Sequence, residues 1–373
     1  MALQHAFLSW DNFDHARLTS QWAFLVLDTN TPIGYMLDEF VDALGWHKTK
    51  SDLHTEGNPN FEVDTKSKTI RLKPSSLNGE LIIDSCNRAL EEFCEMYQHH
   101  PAFAAGLKPW CTQKNQSVKH HMEIRDLGFH PVLAPDKDLR RLQVPSPARG
   151  IFGILTAGVH LNVYSVKIED GLEKIDQIWV SQRSDQATFP GCFDQIVAGA
   201  MDPEDNFDPS AALGREAQEE AGWQLDVDCK SMHQRNKVGV MSKIGDVKDS
   251  GMVYFCTKKD EAAGIKEAGH IEPGIRFCYD LKLMAKVTPS PAKDNKAIGR
   301  FFSRSVNQVI KSLEAKEWKS SSGLVMMEFL RRHGCISNEA YAGSEGRHPP
   351  FSLPEFSHWK VDRQGSCWKL QRC

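Results

Sequence analysis

One short stretch of the chain defines a helix at both ends and places three acids on it. Gly199–Trp223 reads GAMDPEDNFDPSAALGREAQEEAGW. Asp208 is a favourable N-cap residue, and Pro209 suits the first helical position. Gly222 suits the position just past the last turn, where the backbone often becomes left-handed. The sequence therefore predicts a helix over Pro209–Ala221.

The acids on this helix lie on one face. Glu216, Glu219 and Glu220 are spaced i, i+3 and i+4, which places them within an arc of roughly 100°. They repel each other, and they lie near the negative end of the helix dipole, where each exposed acid costs roughly 0.3–1 kcal/mol. A divalent cation removes this conflict, because carboxylate oxygens are good ligands for Mg²⁺. The adjacent face is apolar and can pack against a sheet: Leu213, Ala217 and Ala221.

The E-x-x-E-E spacing alone does not establish a metal site, since a solvated acidic helix end has the same pattern. The surrounding residues decide between the two. Arg215–Gly222 (REAQEEAG) matches the core of the box R-E-U-x-E-E-x-G-U, where U is a bulky aliphatic residue. Upstream, Thr188–Gly199 (TFPGCFDQIVAG) is similar to the strand and loop that lead into that box. The segment thus resembles the Nudix hydrolases.

This resemblance implies a set of roles around a divalent ion, Mg²⁺ or Mn²⁺. Glu216, Glu219 and Glu220 would be its ligands together with the carbonyl of Gly199, and all three acids would be catalytic. Glu219 or Glu220 would accept the proton of the attacking water. Two residues would be structural: Arg215, which can bond Glu219 across one turn, and Gly222.

The match to the full box G-x5-E-x7-R-E-U-x-E-E-x-G-U is imperfect. Nine residues rather than seven separate Asp205 from Arg215, so the box loop is two residues longer than the pattern. Either Asp205 or Glu204 replaces the first Glu. Ala217 and Trp223 stand where aliphatic residues are common. We expect these departures to affect the rigidity of the loop more than the chemistry.

A wider resemblance covers most of the chain up to about residue 336. It is strong in the middle of the chain and weak in the first part, and it is to the thiamine pyrophosphokinase-related Nudix proteins. It implies an α/β (α+β) fold: a Nudix α/β/α sandwich with a mixed sheet over 146–336, preceded by a smaller α+β domain over 1–145. Pro135–Pro147 is predicted to be a polar linker, and 337–373 is an unassigned tail. The resemblance rests on these stretches: Gly150–Tyr164, Trp179–Arg183, Thr188–Met201, Phe277–Leu281 and Phe329–Gly334.

One departure bears on activity. The family usually shows N-D-G-E-V-x-x-F after a proline, and its Glu can serve as a further metal ligand or base. Here the run after Pro291 is Asp294–Phe301 (DNKAIGRF), which places Ala297 at the Glu position. Either a neighbour such as Asp294 substitutes for that Glu, or catalysis is weakened.

Several side chains outside the box are candidates for contacts with the substrate. Arg183 could contact phosphate. His160 and Asn162 lie on a predicted strand and either face the pocket or form a satisfied pair in the core, with equal weight. The aromatic residues could stack on a flat heterocycle, although each is more often a core residue; they are Phe189, Trp179 and Trp223.

Composition limits the partners. The formal net charge of -4 provides no basic field for nucleic acid or for an anionic membrane. No apolar run approaches the length of a membrane span, and the acidic start predicts no signal peptide. Ten cysteines without a C-x-x-C pair favour free thiols in the cytoplasm. Composition thus favours a small molecule as the partner, and the resemblance to the Nudix box implies that it is a diphosphate; the oligomeric state stays open.

Four functions are compatible with this pattern. The leading one is metal-dependent hydrolysis of oxidised or otherwise damaged thiamine diphosphates to monophosphates. The second is the same chemistry on 8-oxo-dGDP, on another nucleoside diphosphate or on a dinucleotide. The third is isomerisation of an allylic diphosphate, which no further feature supports. The fourth is a catalytically weak Nudix fold that binds diphosphates, favoured by Ala297.

Overall fold

The structure is a computed structural model that describes residues 2–13, 15–48, 54–55, 58–77, 79–120, 128–133, 139–236, 239–293, 295, 298–338, 359–364 and 367–372. Its helices are α1 (Ala2–Trp10), α2 (His15–Thr19), α3 (Asp38–Ala43), α4 (Ile82–Tyr97), α5 (Ala104–His120), α6 (Ser146–Arg149), α7 (Pro209–Ala221), α8 (Val306–Glu314) and α9 (Ser320–Arg332). Its strands are β1 (Trp22–Val26), β2 (Gly34–Met36), β3 (His54–Thr55), β4 (Asn58–Asp64), β5 (Thr69–Leu72), β6 (Phe129–Pro131), β7 (Gln143–Pro145), β8 (Thr156–Glu169), β9 (Leu172–Arg183), β10 (Phe193–Gln195), β11 (Val197–Ala200), β12 (Trp223–Leu225), β13 (Ser231–Arg235), β14 (Met241–Lys258), β15 (Ile271–Leu283), β16 (Ile298–Arg304), β17 (Trp359–Gln364) and β18 (Cys367–Arg372).

Helix α7 begins and ends where its capping residues predict. The Asp208 carboxylate accepts hydrogen bonds from the amides of Ser210 and Ala211, at 2.8 and 3.4 Å. Gly222 follows the last turn with a φ of 66°, a left-handed conformation that a residue with a Cβ rarely adopts. The predicted helix is confirmed at both ends.

A nine-stranded mixed sheet supports this helix. The strand order is β10-β9-β8-β15-β14-β13-β12, with β11 paired to β8 and β16 paired to β9. Strand β8 pairs in parallel with β15 and antiparallel with β9 and β11. Because side chains alternate along a strand, Val159 and Leu161 pack in the core that contains α7, whereas His160 and Asn162 lie on the opposite face.

Helices cover both faces of the large sheet. The apolar side of α7 packs against β8, β11 and β12. On the opposite face, α1, α8 and α9 form a second apolar core with residues of β9, β14 and β15. The expected fold class, a mixed sheet between helical layers, is what the structure shows.

The N-terminal part has its own sheet, and its core runs into the core under α7. Five strands take the order β2-β1-β5-β4-β3. The ring of Phe152 stacks on Phe24 and Phe61, with centroids 4.5 and 5.7 Å apart, and lies 4.7 Å from Phe93. One apolar cluster therefore includes residues on both sides of residue 146. The division at 145/146 stays a prediction from sequence.

Two parts of the chain differ from what their composition indicates. The predicted linker over Pro135–Pro147 is wrong for its second half, because Gln143–Pro145 pairs with β6 and Ser146 starts α6. Val144 and Ala148 are buried, which explains why the segment is ordered despite its prolines. In the unassigned tail, β17 and β18 pair as an antiparallel hairpin. Within the described residues, no helix is both long and apolar enough to cross a membrane.

Candidate functional site

The three acids of α7 lie in different surroundings. Glu216 and Glu220 are 9% and 8% exposed, whereas the Glu219 side chain is 56% exposed. The Glu220 Oε2 accepts a hydrogen bond of 2.8 Å from the amide of Ala198 on β11. Two acids of the helix are thus inserted between α7 and the sheet, and the third faces the surface.

Gly199 allows this close approach of helix and strand. A Cβ at Gly199 would lie 1.8 Å from the Glu216 Oε1 and 1.9 Å from its carboxyl carbon. No side chain larger than hydrogen fits at this position while Glu216 keeps its place. The Glu216 carboxylate therefore packs directly against the backbone of Gly199.

Arg215 holds the box loop against the helix. Its guanidinium bonds both oxygens of Asp205, through Nε at 3.1 Å and Nη2 at 2.8 Å. It also donates to the Ala200 carbonyl at 3.0 Å, and to Glu216 and Glu219 at 2.9 and 3.5 Å. Asp205 is buried, whereas Glu204 is exposed. Of the two acids that could replace the first Glu of the box, Asp205 is the one that braces the loop.

Burial of the carboxylates changes their acidity. Removal from water disfavours the charged form, so burial raises the pKa of Glu216 to about 7 even though Arg215 opposes the rise. Burial raises the pKa of Glu220 well above its usual range, and the neighbouring Glu216 adds to the shift. The metal-free site therefore disfavours the charges that a cation would balance.

The donor set suits a hard divalent cation, but the side chains do not converge. Within the part of the chain that the structure describes, no three acidic, histidine or cysteine side chains gather closely enough to hold a metal ion. Glu219 accepts a bond of 3.5 Å from the Arg215 Nη1, which also donates to Glu216 at 2.9 Å. Its exposed side chain has room to rotate, so a cation held by Glu216, Glu220 and the Gly199 carbonyl could recruit it.

An open recess of about 870 Å³ adjoins Glu219. It lies between the end of α7, the end of β13 and the loop before β16, and its cations are Arg235 and Lys293. Asn295 ties this loop to the helix by donating to the Glu219 carbonyl at 3.1 Å. Its described lining contains no aromatic side chain, so it suits phosphate and hydroxyl groups better than a flat ring.

His160 and Asn162 lie on the face of β8 away from α7 and are buried in a hydrogen-bonded network. The His160 Nδ1 lies 2.7 Å from the Gln195 Oε1, and burial lowers the pKa of His160 to about 3. Asn162 donates to Asp280 at 2.9 Å, and Asp280 also bonds Arg332. This geometry is that of the satisfied core pair, one of the two alternatives drawn from the sequence.

Arg183 and Phe189 are used by their own loop. The Arg183 guanidinium donates to Asp194 at 2.8 Å and to the hydroxyl of Thr188 at 3.2 Å, and it also bonds the Thr188 carbonyl. Phe189 is buried with a φ of 53°. Both residues fix the shape of the loop before β10.

The two tryptophan candidates differ in exposure. Trp223 is fully buried behind α7, so it supports the helix and offers no stacking face. Trp179 is half-buried and packs at the edge of the same core.

Three groups that contact the site were not predicted from sequence. The Ala198 amide bonds Glu220, Asp202 pairs with Arg215, and Asn295 bonds the Glu219 carbonyl. Ala297 and Asp294, on which the predicted loss of a metal ligand rests, lie outside the described residues.

The mixed sheet, the capped acidic helix and the braced glycine loop together form one candidate site. No family model matches the sequence. Over 192 residues the chain is 31% identical to the uncharacterized protein YJR142W of Saccharomyces cerevisiae, covering 51% of this chain and 50% of that protein. Over 191 residues, also 51% of this chain, it is 27% identical to two chloroplastic proteins of Arabidopsis thaliana, Nudix hydrolase 20 and Nudix hydrolase 24, covering 42% and 43% of them.

The chain thus spans about half the length of the curated relatives it matches. Two of these relatives are Nudix hydrolases, so the chain is similar to Nudix hydrolases over the half that it shares with them. Solved structures that overlap it include the E. coli dihydroneopterin triphosphate pyrophosphohydrolase, with a TM-score of 0.31, 13% identity and coverage of 47% of this chain and 95% of that one. A Nudix hydrolase from Nitrosomonas europaea overlaps with a TM-score of 0.29 and 13% identity. The overlap covers 49% of this chain and 95% of that one. Overlaps of this size are too small to argue from.

Proposed function

We propose that this protein hydrolyses a diphosphate linkage of a small molecule with the help of a divalent cation, Mg²⁺ or Mn²⁺. The observation that carries the proposal is the pair of buried acids, Glu216 and Glu220, inserted beside Gly199 at the end of α7. Among the described residues, Arg215 is the cation that bonds Glu216, whereas Glu220 bonds a backbone amide. Only one of the two buried acids therefore has this guanidinium as a partner, and a bound cation would balance the charge of the other.

The chain's own residues would divide the work as follows. Glu216, Glu220 and the Gly199 carbonyl would hold the cation, and Glu219 would complete the set from the exposed side. A bound divalent ion supplies charge neutralisation on the diphosphate and a bound water of lowered pKa. Glu219 lines the recess, so it is the acid best placed to accept the proton of that water.

The acids also need a fixed position. Arg215 would keep the loop that carries Gly199 against α7 through Asp205 and the Ala200 carbonyl. The recess cations Arg235 and Lys293 would receive the negative charge of the substrate beyond the cleaved bond. Water is the second reactant, and the half-open recess gives it access.

The test is phosphate release from a panel of diphosphates by purified protein, with Mg²⁺ or Mn²⁺ and with chelator. We expect turnover only with metal, and a loss of at least about a hundredfold for Glu219→Gln and Glu220→Gln, since each removes a ligand or base. Glu204→Gln is the matched control, because it changes an exposed acid of the same loop. Full activity in chelator, or in the two Gln variants, would refute the assignment.

For the substrate, we propose a damaged thiamine diphosphate, which follows from the resemblance of the wider chain to the thiamine pyrophosphokinase-related Nudix proteins. The alternative is 8-oxo-dGDP. Both substrates belong in the panel beside their undamaged forms, and the ratio of kcat/KM values ranks them. Tight, metal-dependent binding of diphosphates without turnover would instead favour a binding module.

A further inference from the structure

A second cavity of about 600 Å³ lies on the other side of the box loop from Arg215. It is a groove between the N-terminal part and the loop that leads into α7. One wall comes from α4 and from Arg140–Gln143, and the other comes from Pro203, Asn206 and Phe207. The second wall belongs to the loop that is two residues longer than the Nudix box. Asn206 and Phe207 lie within its lengthened segment, between Asp205 and Arg215.

One arginine of the groove has no charged partner among the described side chains. Three arginines and two acids line it. Arg141 pairs with Asp84 at 3.1 Å, and Glu91 pairs with Lys114 at 2.6 Å. Arg88 is held by two acids outside the lining, Glu80 and Glu92, at 3.1 and 2.9 Å. Arg140 is exposed and has no partner among the described side chains, so the uncompensated charge is its guanidinium.

The inner part of the groove is apolar. Leu142 and Phe207 are buried beneath it, and Pro203 contributes its ring. Asn87 cannot bind a ligand there without loss, because its amide already bonds the Arg141 carbonyl and the Gln143 amide, both at 3.0 Å. Guanidinium groups above an apolar base suit a molecule with an anionic end and a compact apolar body.

The same loop also contacts the candidate metal site. Its outer side presents Asn206 and Phe207 to the groove, and its inner side presents Asp202 and Asp205 to Arg215. Asn206 and Phe207 have φ values of 50° and 60°, a left-handed conformation that costs non-glycine residues about 1–3 kcal/mol each. A molecule bound in the groove would therefore contact a strained segment, and the same segment holds Arg215 in place beside the acids of α7.

We propose that this groove is a second binding site, distinct from the acids of α7, for a small organic phosphate. The phosphate meets Arg140 and Arg141, and the apolar body lies on Leu142, Pro203 and Phe207. Occupation stiffens residues 202–208 and, through Asp205, fixes Arg215. The lining of the groove includes none of the three acids of α7, so binding in the groove does not depend on diphosphate hydrolysis.

Calorimetric titration of the chelator-treated full chain with phenyl phosphate tests the site. Because the recess beside Glu219 also holds two cations, binding is assigned to the groove only where a change in the groove arginines removes it. We expect one equivalent to bind and the Kd to rise at least about tenfold in the double variant Arg140→Ala, Arg141→Ala, which removes two charge-assisted contacts. Lys311→Ala, an exposed cation on α8, is the control and should bind as the parent does.

A parallel titration with inorganic phosphate distinguishes a site for organic phosphates from a site for any phosphate. We expect inorganic phosphate to bind several-fold more weakly, because it lacks the apolar body. Equal affinity would overturn the organic part of the proposal. No uptake, or undiminished uptake by the double variant, would overturn the site. Amide hydrogen exchange of residues 202–208 should slow with phenyl phosphate in the parent only; unchanged exchange in the saturated parent would overturn the link to Arg215.

Discussion

Glu216→Gln should stabilise the metal-free protein while abolishing its metal uptake. Burial raises the pKa of Glu216 to about 7 in the folded chain, against about 4.5 when solvated. Below pH 4.5 both states are protonated and the folded state bears no penalty. As the pH rises from 4.5 to 7, the unfolded chain releases its proton and the folded chain does not, so stability falls. At 1.36 kcal/mol for each pKa unit, the loss is about 3 kcal/mol above pH 7.

Glutamine keeps the shape of the side chain and removes this titration. Urea unfolding of chelator-treated protein at pH 5 and pH 8 should therefore show the variant gaining up to about 3 kcal/mol over the parent at pH 8 and much less at pH 5. Glu219→Gln, at an exposed position of the same helix, should change stability by less than about 0.5 kcal/mol. Added Mg²⁺ should stabilise the parent and not the Glu216 variant. A Glu216→Gln protein no more stable than the parent at pH 8 would refute the reasoning.

Three further changes test the supports of the site. Asp205→Ala leaves the half-buried Arg215 guanidinium without its two-point partner and should cost about 3 kcal/mol in urea unfolding. Glu204→Ala should cost under about 0.5 kcal/mol, and equal costs would contradict the bracing role. Gly199→Ala places a Cβ 1.8 Å from the Glu216 carboxylate, so calorimetry should detect no Mg²⁺ uptake by a folded variant; parental uptake would contradict it. Trp10→Ala empties a buried contact with Gly323 and should cost about 3–5 kcal/mol by the same unfolding assay, with exposed Leu8→Ala as its near-neutral control; a small loss at Trp10 would contradict docking of α1.

Local signals in the sequence predicted the local structure well. The cap residues Asp208 and Gly222 act within four residues of the helix ends they define, so α7 could be placed without knowledge of the fold. The spacing of Glu216, Glu219 and Glu220 likewise predicted their common face. It could not predict that two of them are buried, because burial depends on how closely β11 approaches the helix.

The long-range part of the site was not predictable in this way. Arg183 was a reasonable phosphate contact by residue type, yet its partners are Asp194 and Thr188 in its own loop. His160 reads equally well as a ligand or as a core residue until the position of Gln195 is known. A polar side chain on a strand has the same appearance in sequence whether its partner is a substrate or a residue from another strand.

Helix α1 shows the same limit at the level of the fold. Its residues lie before the N-terminal sheet in sequence, yet Leu3, Phe7 and Trp10 pack in the core on the far face of the large sheet. Just after it, the Asp11 carboxylate accepts from the Cys256 amide at 2.9 Å, and Asn12 bonds both backbone groups of Lys258. These bonds satisfy backbone groups of β14, nearly 250 residues away along the chain.

The longer box loop can be recognised in the sequence, but its contacts are visible only in the fold. Counting residues between Asp205 and Arg215 detects the extra length, but the count does not say what the added residues contact. In the fold, Asn206 and Phe207 line the groove against the N-terminal part, while Asp205 keeps its bonds to Arg215. Since one loop contacts both the N-terminal part and Arg215, the N-terminal part can influence the proposed catalytic acids without touching them. Changes in Pro203 or Phe207 should therefore alter turnover through Arg215, although neither residue is a metal ligand.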